Sequence, residues 1–443
     1  MKFISALVGA ALLTQQSAAH PDDSPEEHAR EIAQRNAYLS THKRSLAHCA
    51  EALKARGNDL AMAHRRSLEV KKMRAKRAID QEKNYLRARD LDTVLATSHA
   101  SNRTGITADT DPSVIFAGNN SCILTPEVTS GPYWVKGEMI REDITEDQKG
   151  VPLHLDIQVI DVNTCEPIPS VYLEIWNCNA TGIYSGVVSS RNGDGSDESN
   201  LDKTFLRGIS QTDECGVVQF DTLFPGHYTN RATHIHIMTH TLDATVNDNN
   251  TLAGSSLSHV GQMFFDQDLI EAVDTIEPYA SNTQVIKENY KDTYLKEMAS
   301  EVDPMVEYVF LGDDISEGIF GWLSFGMDSS ASYNVTPAAY LYADVHDAAP
   351  CDATDLAIGC TLTTIVSSAI VSSAVASSSV AVSSVVVSPS LAASAAPSAA
   401  PSKASQGGKG QSQNNGKCQQ QQQQGHQQGH QQAQKQDNGP RHN

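Results

Sequence analysis

"PGHYTNRATHIHIM" (Pro225–Met238) runs from a turn into a strand, and the purpose of its polar residues decides how the chain is read. From Thr233 the stretch alternates polar and apolar. Residues i and i+2 of an extended strand share a face. His234 and His236 therefore project together, their Cα atoms roughly 7 Å apart, while Ile235 and Ile237 point into a core. His240 shares their parity but stands near the expected end of the strand. Two imidazoles so placed can converge on one metal ion. An H-x-H pair alone is equally compatible with two surface or satisfied histidines. The company it keeps shifts the balance: Arg231 stands three residues before His234, and Tyr228 six before it in a "PGHY" turn. A second tyrosine, Tyr184, closes "EIWNCNATGIYSG" (Glu174–Gly186).

Outward from this stretch the same period-two pattern recurs. "PLHLDIQVID" (Pro152–Asp161), "SVYLEIW" (Ser170–Trp176) and "GVVQFDTL" (Gly216–Leu223) alternate and are rich in β-branched and aromatic residues, the mark of half-buried strands. Turn-forming clusters such as "DVNTCEPIP" and "TDECG" separate them. The expected fold is mainly β: an antiparallel β-sandwich over residues 115–345. Residues 20–100 are expected to form a helical region. "SPEE" (Ser24–Glu27) supplies an N-cap, Gly57 a C-cap, and a second helical stretch runs from about Asp59 to Leu95. "RAKR" (Arg74–Arg77) resembles a dibasic processing site, which would make a propeptide of the segment up to residue 77; a solvated helix face is the plainer alternative.

The ends of the chain bear on its compartment. "MKFISALVGAALLTQQSAA" has the basic start, short apolar run and small residues of a secretory signal peptide, residues 1–19. Sequons at Asn102, Asn119, Asn179, Asn249 and Asn334, together with eight cysteines, fit an oxidising extracellular setting. The six cysteines from Cys122 to Cys360 are expected to staple the folded body. Residues 361–443 form a low-complexity tail, Ser/Ala/Val-rich and then Gln/His-rich. Nine serines between Ile365 and Val387 argue for a stalk rather than a stable membrane insertion. Beyond residue 100 there are 16 Lys+Arg against 41 Asp+Glu, a balance of −25. Such an acidic body excludes nucleic acid as a natural partner.

Five ordered pieces resemble the intradiol ring-cleavage dioxygenases, the non-haem ferric enzymes that open catechols between their hydroxyls. They are "SGPYWVKGEM" (Ser130–Met139), the strand pair Gly150–Gly186, "LRGISQTDECGVVQFDTLFPGHY" (Leu206–Tyr228), "RATHIHI" (Arg231–Ile237) and "GQMFFD" (Gly261–Asp266). The resemblance implies that Tyr184, Tyr228, His234 and His236 bind Fe(III), and phenolate is indeed a hard donor suited to a ferric ion. It implies that Arg231 stabilises charge developing on the ring, that Tyr228 takes a substrate proton, and that Gln262 supports the site. Pro132, Tyr133 and Trp134 would line the pocket. The implied partners are a small aromatic diol and O2, and the product a muconate-type diacid. A homodimer through the N-terminal helices stays open. The chain departs from the better-known members in its signal peptide, its tail and its six-residue step from Tyr228 to His234. That short step predicts a more open site or a ligand that reaches differently, and the pattern fits the secreted branch found in fungi. Two other classes compete: a secreted binding protein that keeps the ligands with little turnover, and a zinc hydrolase built on His234 and His236, which would need a third His or carboxylate ligand.

Overall fold

A computed structural model describes residues 46–80, Phe116, 121–123 and, short gaps aside, 133–341. The expected signal peptide, the Ser24–Glu27 cap, Pro132 and the low-complexity tail lie outside the described residues. The alternating stretches are strands. In chain order the strands are β1 (Ser121–Ile123), β2 (Val135–Lys136), β3 (Pro152–Asp161), β4 (Tyr172–Trp176), β5 (Arg207–Gln211), β6 (Val217–Leu223) and β7 (His234–His240). After them come β8 (Thr245–Val246), β9 (Leu252–Ala253), β10 (Leu257–Phe264), β11 (Glu307–Phe310), β12 (Ile319–Met327) and β13 (Ala339–Tyr340). The helices are α1 (Ala50–Ala55), α2 (Asn58–Lys76), α3 (Gln267–Val273) and α4 (Thr293–Ala299), joined by short 3-10 turns.

Two sheets build the body. One runs β10-β7-β4-β5 and is antiparallel throughout. The other runs β1-β12-β3-β6, with β11 also on β12. This second sheet corrects the expectation of purely antiparallel pairing. β12 lies parallel to β3, from Ile319 opposite Leu153 to Met327 opposite Asp161, and parallel to β1. Alternation reads the same in either direction, and only a short hairpin forces antiparallel pairing. Between β3 and β12 the chain builds the whole other sheet, so it is free to return either way. The inward residues of both sheets form one core: Leu153, Leu155 and Ile157 of β3 and Leu323 and Phe325 of β12, with Leu173 and Ile175 of β4 and Ile235 and Ile237 of β7.

The outer face of β3 carries His154, Asp156 and Gln158, all buried. The N-terminal helices account for that. Gly57, in the left-handed region at φ 74°, separates α1 from α2, as expected of a C-cap. The α2 helix then packs Ala63, Val70 and Met73 against Val309, Phe320 and Trp322. It ends at Lys76 rather than near Leu95. Ile79 N–H reaches back to Arg74 O at 2.9 Å and Ala78 N–H to Ala75 O at 3.2 Å, with Ala78 at φ 55°. This is a Schellman stop with alanine where glycine is usual, and Ile79 docks beside Phe116. Arg74, inside "RAKR", is buried and donates to Leu311 O.

The cysteine expectation also needs correction. Cys49, outside the expected six, is bonded to Cys165 and ties the helical region to the turn after β3. Cys215 is disulfide-bonded. Cys178, inside the six, is a free buried thiol.

Candidate metal centre

The site lies on the outer face of the antiparallel sheet, opposite its core face. His234 and His236 stand at the start of β7, and Gln262 of β10 pairs with His236. On β4, Trp176 pairs with His236 from the other side and lays its indole on that imidazole, 4.8 Å between centroids and 3° between planes. Period-two geometry thus delivers both histidines to one place: their Nε2 atoms are 3.0 Å apart. His234 Nδ1 donates to Ala232 O at 2.6 Å. That bond places the proton on Nδ1 and leaves Nε2 with a bare lone pair.

Two loops bring the tyrosines. The Tyr184 loop begins in an Asx turn, where Asn179 Oδ1 accepts from Thr181 N and Ile183 N, each at 3.1 Å. Its peptide is clasped on both sides. Tyr184 N–H donates to Asn192 Oδ1 at 2.7 Å, and its carbonyl accepts from Asn192 Nδ2 at 2.8 Å and Asn200 Nδ2 at 2.7 Å. Arg207 holds the next residue through Ser185 O at 2.7 Å. The Tyr228 loop meets this loop at Gly226, where any side chain would collide with Asn179 O and Ala180 O. Cys178 Sγ donates to Gly226 O at 3.1 Å. Gln284 spans both loops, donating to Thr181 O at 2.9 Å and accepting from Thr229 N at 3.0 Å.

The four side chains then close on one point. Tyr184 and Tyr228 rings are 5.3 Å apart at 85°, Tyr228 and His234 rings 5.6 Å apart, and Tyr228 Oη reaches His234 Nε2 at 3.4 Å. The short step from Tyr228 to His234, which turns through Asn230 at φ 70°, therefore still delivers the tyrosine. It does not bare the donors, since Tyr184, Tyr228, His234 and His236 are all buried. Burial pushes both phenols well above the usual tyrosine range, with the Arg231 guanidinium pulling the other way. The Tyr184 hydroxyl is buried with no hydrogen-bond partner among the described residues. Burial pushes the Cys178 thiol up to about 12, so it stays neutral and is no competing thiolate donor.

Two hard phenol oxygens, that of Tyr184 without a hydrogen-bond partner among the described residues, and an imidazole lone pair held toward a second imidazole are the donor set of a trivalent oxygen-loving ion. Such a charge is what would ionise phenols that burial otherwise keeps protonated. The residues present fit a non-haem ferric ion.

Around the donors, Arg231 donates through Nε to Asp292 at 3.0 Å and through Nη2 to Gln262 Oε1 at 2.6 Å. That second bond orients the Gln262 amide and leaves its buried Nε2 without a protein partner among the described residues. Tyr133, at φ 71°, packs its ring 5.1 Å from Tyr184. Trp134 donates to Glu174 at 2.9 Å, and His240 pairs with the other oxygen of that carboxylate at 2.8 Å, so His240 is not a ligand. Among the described residues, the one grouping of three His, Cys or carboxylate ligands is His48, Cys49 and Cys165, whose cysteines are bonded to each other. Sequence reasoning missed Asp292, Gln284, Asn192, Asn200 and Arg207. A reading of "KDTYLKEM" would have found Asp292 only as a helix cap, and nothing in the sequence ties the others to the site.

A family model described as Dioxygenase matches residues 128–302. An intradiol ring-cleavage dioxygenase from Tetranychus urticae is 30% identical, over 48% of this chain and 98% of its own, with a TM-score of 0.39. This chain belongs to the intradiol ring-cleavage dioxygenases. It is thus one of a family of ring-opening oxidoreductases known for non-haem iron(III). A catechol 1,2-dioxygenase from Acinetobacter sp. ADP1 is 20% identical over 48% of this chain and 68% of its own, TM-score 0.29. The dioxygenase domain of a carbohydrate-binding fusion from Streptomyces sp. SirexAA-E is 19% identical over 48% and 98%, TM-score 0.29. A comparison with curated proteins finds no match.

Proposed function

We propose that this dioxygenase is a secreted ferric enzyme that cleaves catechol-type rings between their hydroxyls with O2, giving muconate-type diacids. The observation that carries the reading is the convergence of Tyr184, Tyr228, His234 and His236 on one buried point, with a lone pair at His234 Nε2. Iron(III), held there by the four side chains, would draw electron density from a bound diol and so open a ring carbon to O2. The protein's own groups supply the rest. Tyr228 Oη, hydrogen-bonded to His234 only loosely, is the group to take up a proton from the diol. Arg231, buried and positively charged, stabilises negative charge on the ring, and the spare Nε2–H of Gln262 donates to bound substrate. Tyr133 and Trp134, packed in one cluster with Tyr184 and Tyr228, would line the substrate pocket. The signal peptide, the sequons and the Cys49–Cys165 bond support secretion. Among those sequons, Asn249 is exposed, whereas the Asn179 side chain is already engaged in its turn.

The test is the visible spectrum and metal content of the purified protein. A broad tyrosinate-to-iron band that shifts when catechol is added under nitrogen, followed by ring opening on admitting O2, is expected. The band without ring opening would make the protein a binding module that keeps the ligands. A colourless protein that takes up no iron would sink the ferric reading. Zinc in place of iron, unaffected by Tyr184→Phe, would point to a hydrolase.

A further inference from the structure

Arg231 is the cation of the site and lies in the turn before β7. A carboxylate sixty-one positions later holds one edge of its guanidinium. Asp292 lies immediately before α4 and is buried. Its Oδ2 accepts from Arg231 Nε at 3.0 Å and from the Ala232 amide at 2.8 Å. Its Oδ1 accepts from the Leu295 amide at 2.9 Å, which anchors the carboxylate to the first turn of α4. Ala232, whose amide is held in this way, also offers His234 Nδ1–H its carbonyl, one peptide further on. On its other edge the guanidinium donates to Gln262 Oε1, and its carbon sits 5.0 Å over the Tyr294 ring. One carboxylate, anchored to a separate helix, thus holds both the plane of the arginine and the peptide that joins it to Ala232. Two hydrogen-bonded edges leave a planar guanidinium little freedom.

We propose that Asp292 is a positioning residue for ring cleavage: it aims Arg231, and through Arg231 the Gln262 amide, at the bound aromatic diol. This inference rests on the ferric dioxygenase reading. A carboxylate that merely held the fold together would act on stability and leave turnover of the folded protein alone. A positioning carboxylate acts on kcat, because Arg231 matters most to charge that develops during reaction.

The experiment measures iron content, the charge-transfer band, and kcat and KM for catechol. It compares the full-length protein, Asp292→Asn, Asp292→Glu, Arg231→Gln and the double variant Arg231→Gln/Asp292→Asn. Asp292→Asn should keep its iron and its band, since all four ligands remain, while kcat falls about 10- to 100-fold, the usual effect of losing such a supporting partner. KM should move less than kcat. Asp292→Glu keeps the charge but displaces it, and should recover only part of the loss. In the Arg231→Gln background, Asp292→Asn should change kcat by less than about 2-fold, because the group it aims is gone. Wild-type kcat in Asp292→Asn, or a full further loss in the Arg231→Gln background, would overturn the assignment. Should Asp292→Asn alone fail to fold, the double variant removes both buried charges, and its comparison with Arg231→Gln decides the matter. A wild-type protein without iron or ring opening overturns the ferric reading and this inference with it. An active wild type with an indifferent Asp292 overturns this inference alone.

Discussion

The two sheets of this protein present the same pattern on their outer faces and use it in opposite ways. On β3, His154, Asp156 and Gln158 alternate with core residues, as His234, His236 and His240 do on β7. The β3 face is closed by the chain itself. Asn58 and Gln158 exchange two amide hydrogen bonds at 3.1 and 3.0 Å, Arg65 and Arg66 pair with Asp156, and His154 meets Asp221 at 2.7 Å. The β7 face is covered too, but its coverage leaves Tyr184 Oη and Gln262 Nε2 buried without protein partners. A buried polar group costs free energy unless something completes it. On one side α2 meets Asp156 and Gln158 and β6 meets His154, leaving only an imidazole nitrogen, His154 Nε2, unanswered in that row. On the other, the proposed ferric ion and its substrate would complete the row. Alternating polarity on a buried strand therefore does not tell a site from an interface. What tells them apart is the chemistry of the atoms left unanswered: a lone imidazole nitrogen stacked on Phe320 on β3, against a phenol and an amide gathered beside two imidazoles on β7.

The largest expected effect breaks the site side. Tyr184→Phe removes one of two phenol donors, and activity should fall by more than the roughly 100-fold that loss of a supporting partner costs. The visible band should be lost or strongly altered. In the iron-free protein the same change deletes a buried hydroxyl without a good partner, so stability should hold or rise by about 1 kcal/mol. Chemical denaturation of the two apo proteins measures this. A marked loss of stability would mean that Tyr184 serves the fold rather than the metal.

The helix side should behave in the reverse sense. Asp156→Ala leaves Arg66, which is fully buried, without its carboxylate. Breaking a buried pair in this way costs about 3–5 kcal/mol, while the folded protein should keep its visible band. Next in size, the Cys49→Ala/Cys165→Ala pair should cost about 2–4 kcal/mol for its long loop. The same disulfide gives the "RAKR" motif a checkable consequence. Cleavage after Arg77 would leave α1 and α2 joined to the body, so a cut chain would separate only on a reducing gel.

How much of this was legible in the sequence follows from the range of the interactions. His234 and His236 could be read because a period-two strand places them by local geometry, and Gly57 because a left-handed turn favours glycine. The tyrosines needed the family resemblance, since a loop tyrosine has no periodicity to betray it. Asp292 and Gln284 could not be read: each acts on the Tyr228–Ala232 segment from more than fifty residues away. The parallel pairing of β12 with β3 was hidden because alternation carries no direction. The end of α2 was hidden because Ala78, not glycine, takes the left-handed position.

The smallest effect tests a group that belongs to neither side of the comparison cleanly. Glu138 is fully buried near Arg207, with neither oxygen hydrogen-bonded among the described residues. Burial raises its carboxyl to about 8, against the opposing pull of Arg207 and with a further push from Glu174. The direction of the linkage follows. Between the ordinary carboxyl value of 4.5 and about 8, the unfolded chain gives up this proton while the folded chain keeps it. Folding stability attributable to Glu138 is therefore intact below 4.5, drains away as pH rises through this window, and changes no further above it. Glu138→Gln keeps the shape of the protonated form and cannot ionise. Its stability relative to wild type should be level at pH 4, grow steadily toward pH 8 and then flatten. If the gain instead appeared as an unchanging offset at every pH, the carboxyl would be ionised in the fold, with Arg207 3.8 Å away as its true partner. Glu138 and Arg207 would then be a closed ion pair, like the one that α2 forms with β3.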